Sequence, residues 1–204
     1  MKSKQIDVIH ESVSSLVEYG DVPIAFEIRS IFDISKTDGD TEEIVLAERA
    51  LAAPAIKDYD SIGDESPTGW PARFDISNWC ILGAYSENRR VGGAVVAFRS
   101  PGVDMLEGRD DLAVLWDIRV APDMRRNGVG SALLRVAESW AAANGAESMK
   151  VETQNINVPA CRFYSRHGYL LRAAIPGAYP QFPEEIQLLW YKVLPSTNSP
   201  GSSR

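Results

Sequence analysis

An α/β layer architecture is predicted for this 204-residue chain by three observations. Two β-rich runs, Trp79 to Tyr85 and Val91 to Phe98, flank the polar turn Ser86-Glu87-Asn88-Arg89-Arg90 and read as a hairpin. From Leu112 onward, strand signals alternate with helix signals. After Val129, apolar or small residues recur at Ala132, Leu133, Val136, Ala137, Trp140 and Ala141, which is one face of a helix that has to lie against a sheet.

Taken in order, Ile24 to Ile34 is rich in β-formers and reads as the first strand, followed by a polar turn from Lys36 to Asp40. Glu42 to Ala53 is helix-prone, and Ser61 to Asp75 mixes Gly, Pro, Asp and Ser as loops do. Beyond the hairpin, Leu112 to Val120 is a strand, and the amphipathic helix stops at Asn144-Gly145. Ser148 to Glu152 is the next strand. Asn157, with Pro159 in the first turn, starts a helix that ends at Gly168, and Tyr169 to Ala174 and Glu185 to Lys192 are the last strands. The tail from Pro195 to Arg204 has the composition of a disordered end, so one domain over residues 1–194 is expected.

Composition narrows the function classes. With 45% hydrophobic and 24% charged residues the chain is an ordinary globular protein. Its formal charge of -7 and pI near 4.9 argue against nucleic-acid phosphate as the main partner and are compatible with a cationic substrate, although acidity also serves solubility alone. Cys80 and Cys161 are too few and too far apart for a disulfide framework or a zinc site and read as reduced core thiols; no metal is expected. No apolar run approaches the ~18 residues that a membrane span needs, and no signal-peptide core is present, so the cytoplasm is the expected location.

The chemistry centres on Arg125-Arg126-Asn127-Gly128-Val129-Gly130-Ser131, between a strand and the amphipathic helix. Two glycines let backbone approach a ligand, helix-start N–H groups point outward, and the helix dipole favours an anion there. A pyrophosphate suits such a pocket, with Arg125 and Arg126 adding charge-assisted bonds; the alternative is a plain glycine turn with two solvated arginines. A Walker loop is a poor match because no Lys precedes Ser131. A Rossmann fingerprint is another, because Leu133 stands where the third glycine belongs.

The stretch Val120-Ala-Pro-Asp-Met-Arg-Arg-Asn-Gly-Val-Gly-Ser-Ala-Leu-Leu134 resembles the Arg/Gln-x-x-Gly-x-Gly/Ala acetyl-CoA loop of the GNAT acetyltransferase superfamily. Asn157-x-x-Ala160-x-x-x-Tyr164-x-x-x-Gly168-Tyr169 is similar to the family's second signature, at the expected distance. The resemblance implies a GNAT fold: a mixed, mostly antiparallel, twisted sheet of six to seven strands, splayed between the fourth and fifth, with about four helices. It implies acetyl-CoA as co-substrate, with backbone groups of Ile118 and Val120 pairing with the pantetheine arm and Arg125, Arg126, Asn127, Gly128, Val129, Gly130 and Ser131 holding the pyrophosphate. Asn157 and Ala160 would contact the coenzyme as well, Asn157 being equally natural as a helix cap. Tyr164 would be the general acid that protonates the departing thiolate; without the motif it reads as core.

Amine acetylation requires a neutral amine, so a proton acceptor is expected. Asp117 is the first candidate, since alternation puts it on one strand face with Arg119; the alternative is a local Asp117–Arg119 pair. Glu152 is the second, as base or as the grip on a cationic acceptor. His10 and His167 are poor candidates, one in a weakly defined front end and one beside a helix stop.

A narrower resemblance concerns the acceptor. Val151-Glu-Thr-Gln-Asn-Ile-Asn-Val-Pro-Ala-Cys-Arg-Phe-Tyr164, Phe182-Pro-Glu-Glu-Ile-Gln-Leu-Leu-Trp-Tyr-Lys192 and Ala25-Phe-Glu-Ile-Arg-Ser-Ile-Phe-Asp33 are similar to streptothricin acetyltransferases, which modify a β-lysine amine of a cationic antibiotic. Glu27, Asp33, Glu152 and Tyr179 would then contact a polyamine-like substrate by charge pairing and cation–π contact, or be ordinary surface and core residues. A small-molecule partner, without nucleic acid or membrane, is expected, and a homodimer is compatible. Acetylation of proteins or peptides and a non-enzymatic coenzyme A binding module are the competing readings.

Overall fold

Turn chemistry and apolar alternation build most of the elements where the sequence places them. The computed structural model describes residues 5–37, 43–62 and 66–195. Its strands are β1 (Asp7–Glu11), β2 (Phe26–Lys36), β3 (Ile44–Lys57), β4 (Cys80–Ser86), β5 (Arg89–Phe98), β6 (Leu112–Val120), β7 (Ser148–Gln154), β8 (Leu170–Pro176) and β9 (Ile186–Val193). Its α-helices are α1 (Leu16–Gly20), α2 (Trp70–Arg73), α3 (Val129–Ala143) and α4 (Val158–Arg166). One seven-stranded sheet has the order β1-β4-β5-β6-β7-β9-β8, and β2 and β3 make a separate ribbon. The pairs β1–β4, β4–β5, β5–β6 and β8–β9 are antiparallel, as a mixed, mostly antiparallel sheet requires. No described helix is long and apolar enough to cross a membrane.

The chain divides into two compact units, the first made of Met1–Ile24, Tyr59–Met149 and Val193–Arg204, the second of Ala25–Asp58 and Lys150–Lys192. In the first unit, β4 and β5 turn on Glu87 and Asn88, both with positive φ (53° and 63°), the geometry of a tight type I′ hairpin. This is two residues, shorter than the five-residue turn expected. Gly93, on β5, is required by close approach: a Cβ there would stand 2.5 Å from the Tyr19 ring and 2.8 Å from the Leu82 carbonyl oxygen. Its neighbour Gly92 takes Val129 and Leu133 of α3 on its own side, so α3 and α1 occupy opposite faces of β5. The predicted face of α3 is buried at Leu133, Ala137 and Ala141, and Trp140 meets Phe98 edge-on at 6.2 Å.

Several expectations are corrected. The first strand is not the one beginning near Ile24 but β1, a short and largely exposed strand that the polar sequence Asp7–Glu11 concealed. It is tied down by Glu11, whose carboxylate accepts from Arg90 Nη2 at 2.7 and 2.9 Å and from Tyr85 Oη at 2.8 Å. The stretch read as a loop, Ser61 to Asp75, contains a 3-10 turn over Pro67–Gly69 and the helix α2, whose Trp70 is buried in an aromatic cluster with Tyr19 and Trp79. The expected turn at Lys36 to Asp40 falls largely outside the described residues, as does most of the tail beyond Leu194.

In the second unit the helix-prone run Glu42 to Ala53 is a strand, β3, with Glu42 itself outside the described residues. Helix propensity is a weak prior, and here it loses to the antiparallel ladder with β2, from Ser30↔Ala50 through Lys36↔Ile44. Buried Asn155 anchors that ladder. Its backbone oxygen accepts the Phe32 N–H at 2.9 Å, and its Nδ2 donates to the Phe32 oxygen at 3.1 Å. Its Oδ1 accepts the Ile186 N–H at 2.8 Å, and its own N–H donates to the Ile186 oxygen at 3.0 Å. A buried amide so fully satisfied fixes β2 and β9 by one residue, since loss of any partner would strand a desolvated polar group.

Candidate active site

The sequence-predicted loop lies at the start of α3, in the first unit. Gly128 is the helix N-cap at φ +85°, and an added Cβ there would meet nothing within 4 Å. It offers the first turn no side-chain cap, and no acidic residue stands in that turn. A 15-residue helix therefore presents its positive end at an open glycine, with exposed Arg126 and Asn127 ahead of it. These residues fit a diphosphate. Arg125 is turned inward: its Nε donates to the Val120 oxygen at 3.1 Å and its Nη2 to the Pro23 oxygen at 3.5 Å, and burial lowers its pKa. It shapes the loop, while Arg126, in the left-handed region at φ 63°, faces solvent.

Ile118 and Val120 are half-buried on β6, opposite Ala94 and Gly92. The register slips between Val95↔Asp117 and Val96↔Leu115, so Trp116 is the extra residue of a β-bulge, beside the first candidate base. Asp117 is closely engaged. Tyr19 Oη donates to its Oδ1 at 2.9 Å, and Arg119 donates to both oxygens, the shortest bond being 2.7 Å. Arg119, 1% exposed, also forms a fork with Asp60 at 3.0 Å on each arm. Burial works against the Arg119 charge, yet Asp117, Tyr19 and Asp60 outweigh it and hold its pKa above the arginine norm. Burial first, then the Asp117 charge, pushes the Tyr19 phenol well above its ordinary value. The local Asp117–Arg119 pair is thus present.

In the second unit, α4 starts as the motif requires. Asn157 Oδ1 accepts the Ala160 N–H at 3.2 Å, so the capping alternative is realised and the Ala160 amide is engaged by it. Tyr164 is buried at 4% exposure, edge-on to Tyr169 at 5.5 Å and to Phe163 at 5.2 Å. Glu152, on β7, accepts from Tyr179 Oη and from Gln187 Nε2 at 2.7 Å, and Gln154 Nε2 donates to the Tyr179 oxygen at 3.0 Å. The structure brings Glu152 and Tyr179 into hydrogen-bond contact and joins to them two glutamines that no motif marked. Their signal was faint: polar residues on the face of β7 and β9 opposite that of Thr153 and Trp190.

The other candidate acceptor contacts, Glu27 and Asp33, lie on β2 and are already ion-paired, with Arg29 at 2.6 Å and Arg49 at 2.7 Å. The Arg49 hydrogen bond holds the Asp33 carboxyl below its usual range. His10 Nδ1 lies 3.4 Å from Cys80 Sγ, and His167 caps α4 against the Phe163 oxygen. Both cysteines are free and buried; burial raises Cys80 to about 12 and Cys161 to about 11, as expected of core thiols.

Residues 48–169 match the acetyltransferase (GNAT) family. The chain is 29% identical over 190 residues to a streptothricin acetyltransferase of Escherichia coli, covering 92% of this chain and 94% of that protein. It is 43% identical over 81 residues to streptothricin acetyltransferase A of Bacillus subtilis, a match spanning 39% of this chain and 47% of that protein. The fold resembles the crystal structure of nourseothricin acetyltransferase, with TM-score 0.73, 23% identity and coverage of 93% and 99% of the two chains. It equally resembles a Bacillus anthracis protein solved in complex with acetyl coenzyme A, with TM-score 0.74, 20% identity and coverage of 93% and 100%. The chain belongs to the acetyltransferase (GNAT) family.

Proposed function

We propose that this GNAT protein, acting as one domain over residues 1–194, transfers the acetyl group of acetyl-CoA to a primary amine of a small cationic acceptor, with streptothricin as the acceptor to test first. The observation that carries the reading is the open, uncapped start of α3 at Gly128, built for a diphosphate. The likeness to the Escherichia coli streptothricin acetyltransferase over 92% of the chain and the formal charge of -7 support the acceptor class.

When bound, acetyl-CoA supplies the activated thioester. The N–H groups from Gly128 to Ser131 and the Arg126 guanidinium hold its diphosphate, Arg125 firms the loop, and the edges of Ile118 and Val120 pair with its pantetheine arm. Glu152 takes the proton that the ammonium must lose before attack, directly or through water. The amine nitrogen would bond to the acetyl carbon as the carbon–sulfur bond breaks; Tyr164 would pass its phenol proton to the sulfur, and the second proton lost by the new amide nitrogen would restore the Tyr164 phenol. Asp117 is assigned to holding the β6 bulge through Arg119 and Tyr19.

Thiol release from acetyl-CoA with streptothricin and with a peptide panel tests the function; acetylation confined to peptides would defeat the acceptor assignment. Gly128→Glu is expected to abolish coenzyme binding in a titration, because it puts like charge at the diphosphate and a side chain at φ +85°. The fold should survive, since the site is open and the backbone strain costs about 1–2 kcal/mol. Unchanged affinity would overturn the loop assignment.

A further inference from the structure

Four carboxylates of the second unit are matched by cations of the same unit: Glu27 by Arg29, Asp33 by Arg49, Glu48 by Arg162 and Glu185 by Lys57. Glu152 is treated differently. The side chains bonded to it, Tyr179 and Gln187, are neutral, and Gln154 supports Tyr179 from behind. Among the described residues no lysine, arginine or histidine is ion-paired with it. Neutral donors orient a carboxylate without cancelling its charge, and a half-buried anion left this way is stabilised most by an incoming cation.

The clamp stands on rigid elements. Thr153, between Glu152 and Gln154, faces the opposite way and accepts from Trp190 Nε1 at 2.8 Å, which fixes which side of β7 the two polar chains occupy. Gln187 follows Ile186, whose N–H and oxygen are both taken by Asn155. The segment carrying Tyr179 is fastened by Lys57, which pairs with Glu185 at 2.5 Å and lies 3.3 Å above the Phe182 ring.

We infer that Gln187, with Tyr179 and Gln154, is a positioning residue that holds Glu152 as an uncompensated anion for the ammonium group of the acceptor, so that the acceptor's positive charge is itself selected. This deepens the proposed function and rests on it. The test compares Gln187→Lys, which keeps a donor on Glu152 while cancelling its charge, with Gln187→Leu, which removes the donor alone. Streptothricin affinity is read by calorimetry in the presence of coenzyme A, and KM is measured separately for acceptor and acetyl-CoA. Gln187→Lys is expected to weaken acceptor binding by about 30-fold or more, and Gln187→Leu by about fivefold. The acetyl-CoA KM should stay near the wild-type value in both, a split that a merely structural role would not produce. Should Gln187→Lys fail to fold, Tyr179→Phe serves instead, with acceptor KM raised about fivefold. Wild-type acetylation of streptothricin with an unaltered acceptor KM in the folded variants overturns this inference and leaves the proposed function standing. A wild-type protein that acetylates no small cationic amine overturns both.

Discussion

Asp117 and Glu152 are two half-buried strand carboxylates placed in opposite electrostatic settings. Asp117 lies against the guanidinium of Arg119, itself 1% exposed and further matched by Asp60, so its charge is spent inside its own unit. Glu152 is held by a phenol and an amide, which fix its direction and leave its charge standing. A half-buried strand carboxylate therefore cannot be assigned as catalytic from its strand position alone. The sign and number of its partners decide whether it is a strut or a reagent.

Glu152→Gln should separate the two carboxylates by the largest effect. Removing the proposed proton acceptor is expected to lower kcat/KM for a cationic acceptor by about 10³-fold while leaving acetyl-CoA affinity and melting temperature near wild type. Activity within tenfold of wild type would remove Glu152 from the chemistry. Asp117→Asn should do the reverse, costing about 3 kcal/mol in denaturant unfolding because a buried guanidinium loses one of its anions, with turnover of the folded fraction little changed. A large loss of turnover at full stability would make Asp117 the base instead.

A smaller effect sharpens the strut assignment. Tyr19 is held above its ordinary pKa of 10.0 by burial and by Asp117, so the folded chain keeps a proton that the unfolded chain begins to release near that pH. Its contribution to stability is complete below pH 10 and is lost as pH rises from there through the folded-state value. Tyr19→Phe should cost about 1 kcal/mol at neutral pH, from the lost bond to Asp117, and make the alkaline limb of the stability–pH curve shallower. An unchanged alkaline limb would detach Tyr19 from the network.

Legibility from sequence differs by element for physical reasons. The bounds of β6 and α3 were readable because an apolar run and a 3.6-residue period each bury a face against a neighbour, and Gly128 marks the loop between them. β1 was missed because five mostly exposed residues carry no such period. β3 was misread because Ala-rich sequence favours helix until a partner strand overrides it. Among the candidate site residues, Asn157, Ala160 and Tyr164 were marked by a local motif. Gln187, Gln154 and Tyr19 were not, because each acts through a partner on another element: Gln187 is 35 positions from Glu152, and Tyr19 is 98 from Asp117.

The strand–loop–helix with its open glycine at the start of α3, the capped helix bearing Tyr164, and the family to which the chain belongs are all set by the sequence alone. These are local patterns, set by residues close along the chain. Only the tertiary structure decided that Asp117 is neutralised and Glu152 is not. Charge compensation depends on which distant side chains fold to within hydrogen-bonding reach, and local spacing does not encode that.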